Sequence, residues 1–351
     1  MNPRLKNTIK YLLFVGLGGL LLWLAFRSAD PQKLLDDLKH AHYGWVFLSM
    51  VLGWLAVISR GYRWVILLEP LGYKVNPWNA SHAVAVGYMA NLAVPRAGEL
   101  ARCTSLNQVE KVPVNQLFGT VILERAVDLV MMIIMITLAV IFQWQNLLSL
   151  VEITSSSNGH EGASGGGSQM ILYILFGALL FFVLVFILFR NRIIYHPRFA
   201  VVRNFWLGMK EGFKTIFRMK RTGMFFFHTL FIWTMYFMMV YVVFYAIPAT
   251  SGLTVRECFL IQVAGSLGIV LPVPGGIGAY HFLVMSALTV LGLTKEEGLS
   301  FATIVHSSQT LMLLITGLVG LIFLYFERRK IKPNEPSGDP PKQDTAKGSA
   351  G

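Results

Sequence analysis

Long apolar runs separated by short basic connections dominate the chain: Tyr11–Phe26, Trp45–Leu68, Leu123–Phe142, Met170–Phe189, Met224–Ile247 and Phe301–Phe326. Each is near the ~20 residues that carry a helix across about 30 Å of hydrocarbon, so the pattern predicts about six full spans. Two further apolar stretches are broken by proline and glycine after about 15 residues, or roughly 22 Å of helix, which is too short to cross. The first runs Trp78–Val94, breaks at Pro95-Arg96-Ala97-Gly98 and resumes as Glu99–Val109. The second runs Cys258–Leu271, breaks at Pro272-Val273-Pro274-Gly275-Gly276 and resumes as Ile277–Leu293. Both read as re-entrant helical hairpins that enter and leave on one side.

The two breaks share the pattern Leu-x-Val-Pro, in Leu92-Ala-Val-Pro95 and Leu271-Pro-Val-Pro274. The order span, span, broken hairpin, span occurs once before the Ser/Gly-rich stretch at 154–168 and once after it. An odd number of crossings per half inverts the second copy, so that the hairpins open from opposite sides and meet near the midplane, where many transporters build a substrate site. The predicted fold is therefore an all-α polytopic membrane helix bundle with an inverted repeat. Its halves are 1–153 and 169–330, joined by an outside loop at 154–168. Residues 198–221 set Val202, Phe205, Trp206, Met209, Phe213, Ile216 and Phe217 on one helical face beside Arg203, Lys210, Lys214 and Arg218, as in an amphipathic helix on an anionic cytoplasmic leaflet. From 331 to 351 the composition predicts a disordered cytoplasmic tail.

Composition agrees with a membrane protein: 55% of residues are hydrophobic and 14% charged, outside the usual range of soluble globules. The first run is expected to be an anchor, because Phe26-Arg27-Ser28-Ala29-Asp30 offers no small-x-small cleavage pattern. The formal charge of +12 is topological rather than a nucleic-acid signal. With an inside N-terminus, 22 basic residues fall inside and five outside, which predicts cytoplasmic termini; the expected location is the bacterial cytoplasmic membrane. Cys103 and Cys258 lie in different apolar regions, so neither a disulfide framework nor a thiolate metal site is expected.

Charge inside apolar sequence marks the candidate chemistry, since such residues are costly in a membrane unless paired or wet. Pro95-Arg96-Ala97-Gly98-Glu99, with Arg102 one turn later, places forked phosphate donors at a helix break, and a helix beginning near Gly98 offers N–H groups to an anion. The alternative is an ordinary loop with a Glu99–Arg102 pair. Glu124-Arg125-x-x-Asp128 opens an otherwise uncharged run, either as the interfacial end of a span or as a network closing on Arg96 and Arg102. Arg60 and Arg63 are explained as well by snorkelling as by a substrate role. Pro274-Gly275-Gly276-Ile-Gly278-Ala-Tyr280-His281 is the most distinctive string. It has no Lys-Ser/Thr after it and no strand before it, so it is not a nucleotide loop. It is either a packing turn or a source of N–H groups for a headgroup, with Tyr280 and His281 as further donors and His281 able to change charge. His306 and Gln309 lie in the following span as ligand groups or as helix–helix hydrogen-bond partners.

Enzyme readings are poorly supported. Gly162-Ala-Ser-Gly165 lies in the Ser/Gly loop rather than at a membrane helix start, and Asp36-Asp37 lacks the spacing that holds a metal-bound sugar nucleotide. No His, Cys and carboxylate cluster has metal-ligand spacing, so no metal or cofactor is expected.

Arg60-x-x-Arg63-Trp64, Pro95-Arg-Ala-Gly-Glu99-x-x-Arg102, Glu124-Arg-x-x-Asp128 and Pro274-Gly-Gly-Ile-Gly278, in this order, resemble the flippase-like family, also called the lysylphosphatidylglycerol synthase transmembrane region. The likeness covers roughly residues 5–328. It implies a bilayer-embedded domain that moves a lipid between leaflets, in some members standing alone or fused to lipid-linked glycosylation enzymes. The sequence ends shortly after its last apolar run without an aminoacyl-transferase region, so lipid aminoacylation is not expected. Tyr280-His281 stands where many relatives carry a Glu soon after the glycines, a departure that bears on headgroup preference. The leading expectation is a non-enzymatic translocator for an anionic phospholipid or a polyprenyl-phosphate-linked lipid, with Arg96 and Arg102 on the phosphate and Glu99, Glu124 and Asp128 holding them. The alternative is a non-catalytic scaffold or subunit associated with a lipid-modifying or glycosyltransferase enzyme.

Overall fold

The computed structural model describes residues 3–27, 30–144 and 219–330. Among these residues the chain is entirely helical apart from turns and connections. The expected span at 170–189, the loop at 154–168, the amphipathic helix up to residue 218 and the tail at 331–351 lie outside the described residues.

Helix α1 (Pro3–Phe26) is followed by α2 (Pro31–His40), which Asp30 caps by accepting from the Gln32 N–H at 2.8 Å. The two meet at 89°, so the first apolar run turns sharply at its end rather than continuing. Helices α3 (Tyr43–Leu68), α6 (Val114–Phe142), α7 (Thr222–Val243) and α10 (Lys295–Lys330) are each long and apolar enough to cross a membrane. Together with the bent α1–α2 pair, the described residues thus hold four or five candidate spans. Their outward faces carry Ile133, Ile141, Phe227, Leu230, Leu318 and Ile322, all more than half exposed, a lipid-facing surface with no polar component to satisfy.

Between the spans lie two pairs of short helices. α4 (Pro77–Ala93) is capped by Asn76, whose side chain accepts from the Trp78 N–H at 2.9 Å. It stops because Val94 precedes a proline and is driven out of the helical region, to φ −129° and ψ 115°. Arg96 then adopts a left-handed φ of 65°, and α5 (Gly98–Glu110) begins. The pair folds back tightly: a Cβ on Gly98 would lie 2.2 Å from the Gly87 carbonyl oxygen, so backbones meet where no side chain fits. The Gly98 N–H is also bonded to the Asn91 side chain at 2.7 Å.

The second pair repeats this logic. α8 (Val255–Val270) opens with a capping box of Thr254 and Glu257. Leu271 and Val273, each before a proline, are extended, and α9 (Ala279–Val290) resumes after the glycines. At Gly278, φ is 83° and an added Cβ would fall 2.2 Å from the Gly18 carbonyl oxygen of α1, so both conformation and space demand glycine. Gly275 lies against Leu92 at the end of α4, and the two breaks therefore touch. Around them α7 packs along α3, α10 along α4, and α9 between α8 and α10.

Candidate functional site: a buried arginine–carboxylate cluster on a cavity

Arg60 and Arg63 project from α3 toward Glu124 and Asp128, which lie one turn apart on α6 and so share a face. Arg60 donates through Nη1 to Glu124 Oε1 and through Nη2 to Asp128 Oδ2, both at 2.6 Å, while its Nε donates to the Tyr236 hydroxyl of α7 at 3.0 Å. Arg63 donates to Asp128 Oδ1 at 2.9 Å and to Thr229 at 3.3 Å, and lies 3.4 Å from Glu124. Arg102 reaches in from α5 to both Glu124 oxygens, at 3.3 and 3.1 Å, with its guanidinium 4.6 Å from the centre of the Trp64 ring. Trp64 is fixed in turn by its indole N–H, which donates to Thr120 at 2.8 Å.

Every member of this core is buried, and the Glu124 side chain has no exposed surface. Charges of this kind persist in a low-dielectric interior only when paired and hydrogen-bonded, and here two carboxylates accept from three guanidinium groups. Arg125 differs. Its side chain is 42% exposed, with Glu99 at 3.2 Å and Asp128 only at 4.0 Å. The full cluster of four arginines and three carboxylates carries a net charge of +1.

Arg60, Arg125 and Asp128 line a cavity of about 420 Å³ together with further residues of α3, α4 and α6 and with residues of α7, α8, α9 and α10, including Trp233, Gln262, Tyr280 and Gln309. The volume lies in the range of small-molecule sites. Tyr88 and Tyr236 stand beside Arg60 with their hydroxyls 3.0 Å apart.

The structure brings Arg60, Arg63, Glu99, Arg102, Glu124, Arg125 and Asp128 into one network. Arg96 is not in it: its left-handed turn leaves it exposed at the break, next to Pro95. The expected closure on Arg96 and Arg102 is made by Arg102 alone, with Arg60 and Arg63 in place of Arg96. Gly98 serves the α4–α5 crossing. Pro274, Gly275, Gly276 and Gly278 form the second break and lie off the cavity wall, whereas Tyr280 lies on it. Behind Tyr280, His306 stacks on its ring at 4.9 Å, and His281 meets His306 edge-on at the same distance. Gln309, one turn beyond His306, returns to the wall.

Sequence reasoning passed over Tyr88, Thr229, Trp233, Tyr236, Gln262 and Ser266. One signal was available: Thr229, Trp233 and Tyr236 recur at i, i+4 and i+7, the spacing of a single helical face. Among the described residues no group of three or more His, Cys, Asp or Glu is placed to hold a metal ion.

Compared with known proteins, residues 9–317 match the family described as the lysylphosphatidylglycerol synthase TM region. A stretch of 126 residues is 29% identical to the UPF0104 membrane protein MJ1595 of Methanocaldococcus jannaschii, covering 35% of this chain and 36% of that relative. The match thus spans about a third of the relative's length. No solved structure matches.

Proposed function

Since the chain belongs to the lysylphosphatidylglycerol synthase TM region family of membrane domains, we propose that it is a translocator that carries an anionic lipid headgroup between leaflets. The observation that carries this reading is the net +1 of a charge cluster at the wall of a cavity inside the helix bundle. A phosphodiester supplies the one negative charge that completes it. Arg125 is the contact for that phosphate, because Arg63 and Arg102 do not line the cavity and Arg60, which does, is engaged through Nε, Nη1 and Nη2, whereas the Arg125 side chain is partly exposed there. Those three arginines position the carboxylates and keep the cluster's charge fixed.

The two broken helix pairs are read as re-entrant hairpins of an inverted repeat, and the contact of Gly275 with Leu92 supports their meeting inside the bilayer. With the basic residues facing the cytoplasm, both termini are cytoplasmic and the membrane is the cytoplasmic one. The reading makes the protein a transporter rather than an enzyme, driven by the lipid gradient or by a coupled ion.

A second reading has its own observation. The core ion pairs join α3, α5 and α6 so completely that they serve equally as glue in a membrane scaffold. Leaflet exchange of fluorescent lipids in proteoliposomes separates the two. Exchange of anionic but not zwitterionic probes above empty liposomes, lost in Arg125→Gln with the fold intact, is the expected result. No exchange of any probe by folded protein leaves the scaffold.

A further inference from the structure

The cargo of the proposed translocator can be narrowed, because the cavity lining holds one charged group of residues and otherwise neutral ones; this inference rests on that reading. Arg60, Arg125 and Asp128 are its charged lining. The wall formed by α7, α8, α9 and α10 has no charged side chain: beside Tyr236, its polar groups are on Trp233, Gln262, Ser266, Tyr280 and Gln309, set among apolar residues such as Met239, Ile269 and Met312. Two of these residues carry buried donors without partners. Trp233 is 7% and Tyr280 2% exposed, yet the indole N–H and the phenol hydroxyl have no hydrogen-bond partner among the described residues. Buried donors without partners are costly, and on residues that line a cavity a small turn of the ring brings them to acceptors that enter it. The Gln262 amide is only loosely engaged, donating to Ser266 at 3.4 Å.

The same wall shows what is missing for an amine. Asp128 is the single carboxylate among the residues that line the cavity, and Arg60 and Arg63 hold its oxygens at 2.6 and 2.9 Å. A cationic headgroup therefore meets arginine without a free counter-anion, and like-charge juxtaposition of that kind excludes partners. The neutral wall also keeps its shape by a specific device. A Cβ on Gly265 would lie 2.7 Å from Cε2 of Tyr280, so the absent side chain leaves the ring the room that sets its hydroxyl.

We propose that the headgroup is a monoanionic phosphodiester bearing neutral hydroxyls, its phosphate at Arg125 and its hydroxyls at Trp233, Tyr280 and the glutamines, and that amine-bearing headgroups are rejected. Glycerol and a hexose share this chemistry, on a diacylglycerol and on a polyprenyl anchor respectively.

The test is competitive binding to the purified full chain in phosphatidylcholine nanodiscs. Phosphatidylglycerol is compared with phosphatidylmethanol, which has the same charge without hydroxyls, and with phosphatidylethanolamine. A polyprenyl phosphohexose is compared with the polyprenyl methyl phosphate. Phosphatidylglycerol or the phosphohexose is expected to bind about threefold to tenfold more tightly per engaged donor than its hydroxyl-free partner, and whichever pair shows the difference identifies the anchor. Trp233→Phe and Tyr280→Phe keep the rings and should each erase part of that preference without changing the affinity for the hydroxyl-free lipid, which is also the control for folding. Equal binding within both pairs, a preference untouched by the two variants, or phosphatidylethanolamine bound as well as phosphatidylglycerol overturns the inference and leaves the translocator reading standing. No preference for any anionic lipid over phosphatidylcholine removes both.

Discussion

Replacing Glu124 by Gln tests the reasoning about the buried cluster most directly. Glu124 accepts from Arg60 at 2.6 Å and from Arg102 through both oxygens, with Arg63 at 3.4 Å, and none of its side-chain surface reaches solvent. The substitution keeps the shape and removes one negative charge, leaving four arginines against Asp128 and Glu99. Breaking a buried ion pair by neutralising one partner costs about 3–5 kcal/mol, because the remaining charge stays buried without compensation. Against a total stability of about 5–15 kcal/mol that is a large fraction. Equilibrium unfolding in mixed micelles, titrated with a denaturing detergent, should show this loss. Arg102→Met alone should also destabilise, and the double variant should lose less than the sum of the two by about 1–3 kcal/mol, the coupling expected of groups in one network. A single-variant loss below about 1 kcal/mol, or strict additivity, would refute the claim that these charges depend on one another.

Further outcomes follow from the packing. Arg125→Gln, at the partly exposed member of the cluster, should change stability by no more than about 1 kcal/mol while abolishing selectivity for anionic lipids in the exchange assay. Gly98→Ala forces a Cβ to within 2.2 Å of the Gly87 carbonyl oxygen and should sharply lower the yield of folded protein on size-exclusion chromatography. Gly119→Ala in α6 meets nothing within 4 Å and should be neutral or stabilising by about 0.5–1 kcal/mol in the same unfolding titration. Gly265→Ala should leave the protein folded but displace the Tyr280 ring, reducing lipid binding in nanodiscs while the unfolding midpoint moves little.

Much of the architecture was legible because it depends on local chemistry. Proline excludes the helical region for the residue before it, so Val94, Leu271 and Val273 end their helices for a reason visible in the string itself. The α4–α5 and α8–α9 boundaries accordingly fall within a few residues of those expected. Charge in apolar sequence likewise pointed to Glu124 and Asp128, although at the start of their run the interfacial end of a span explained them as well as a buried network did. Partner choice was not legible in the same way. Arg60 and Arg63 sit near the end of α3, where snorkelling accounts for arginine equally well, and only the approach of α6 to α3 shows that they turn inward. Arg96 at the break was open to two readings, an inward donor or part of an ordinary loop, and only the structure shows it exposed and outside the network. The neutral wall was hidden for a third reason: Trp233 and Tyr236 in an aromatic-rich span have the composition of lipid-facing residues, and their role depends on which face of α7 meets α3.

The meeting of Leu92 with Gly275 reaches beyond packing. Two interrupted helices that touch at their interruptions, with Gly278 seated on the backbone of α1 beside them, share a single keystone. Neither can travel far without carrying or unseating the other. In the proposed translocator, alternating exposure of the cavity would then have few degrees of freedom left, the simplest being a tilt of the paired breaks, moving as one body, against the frame of long helices.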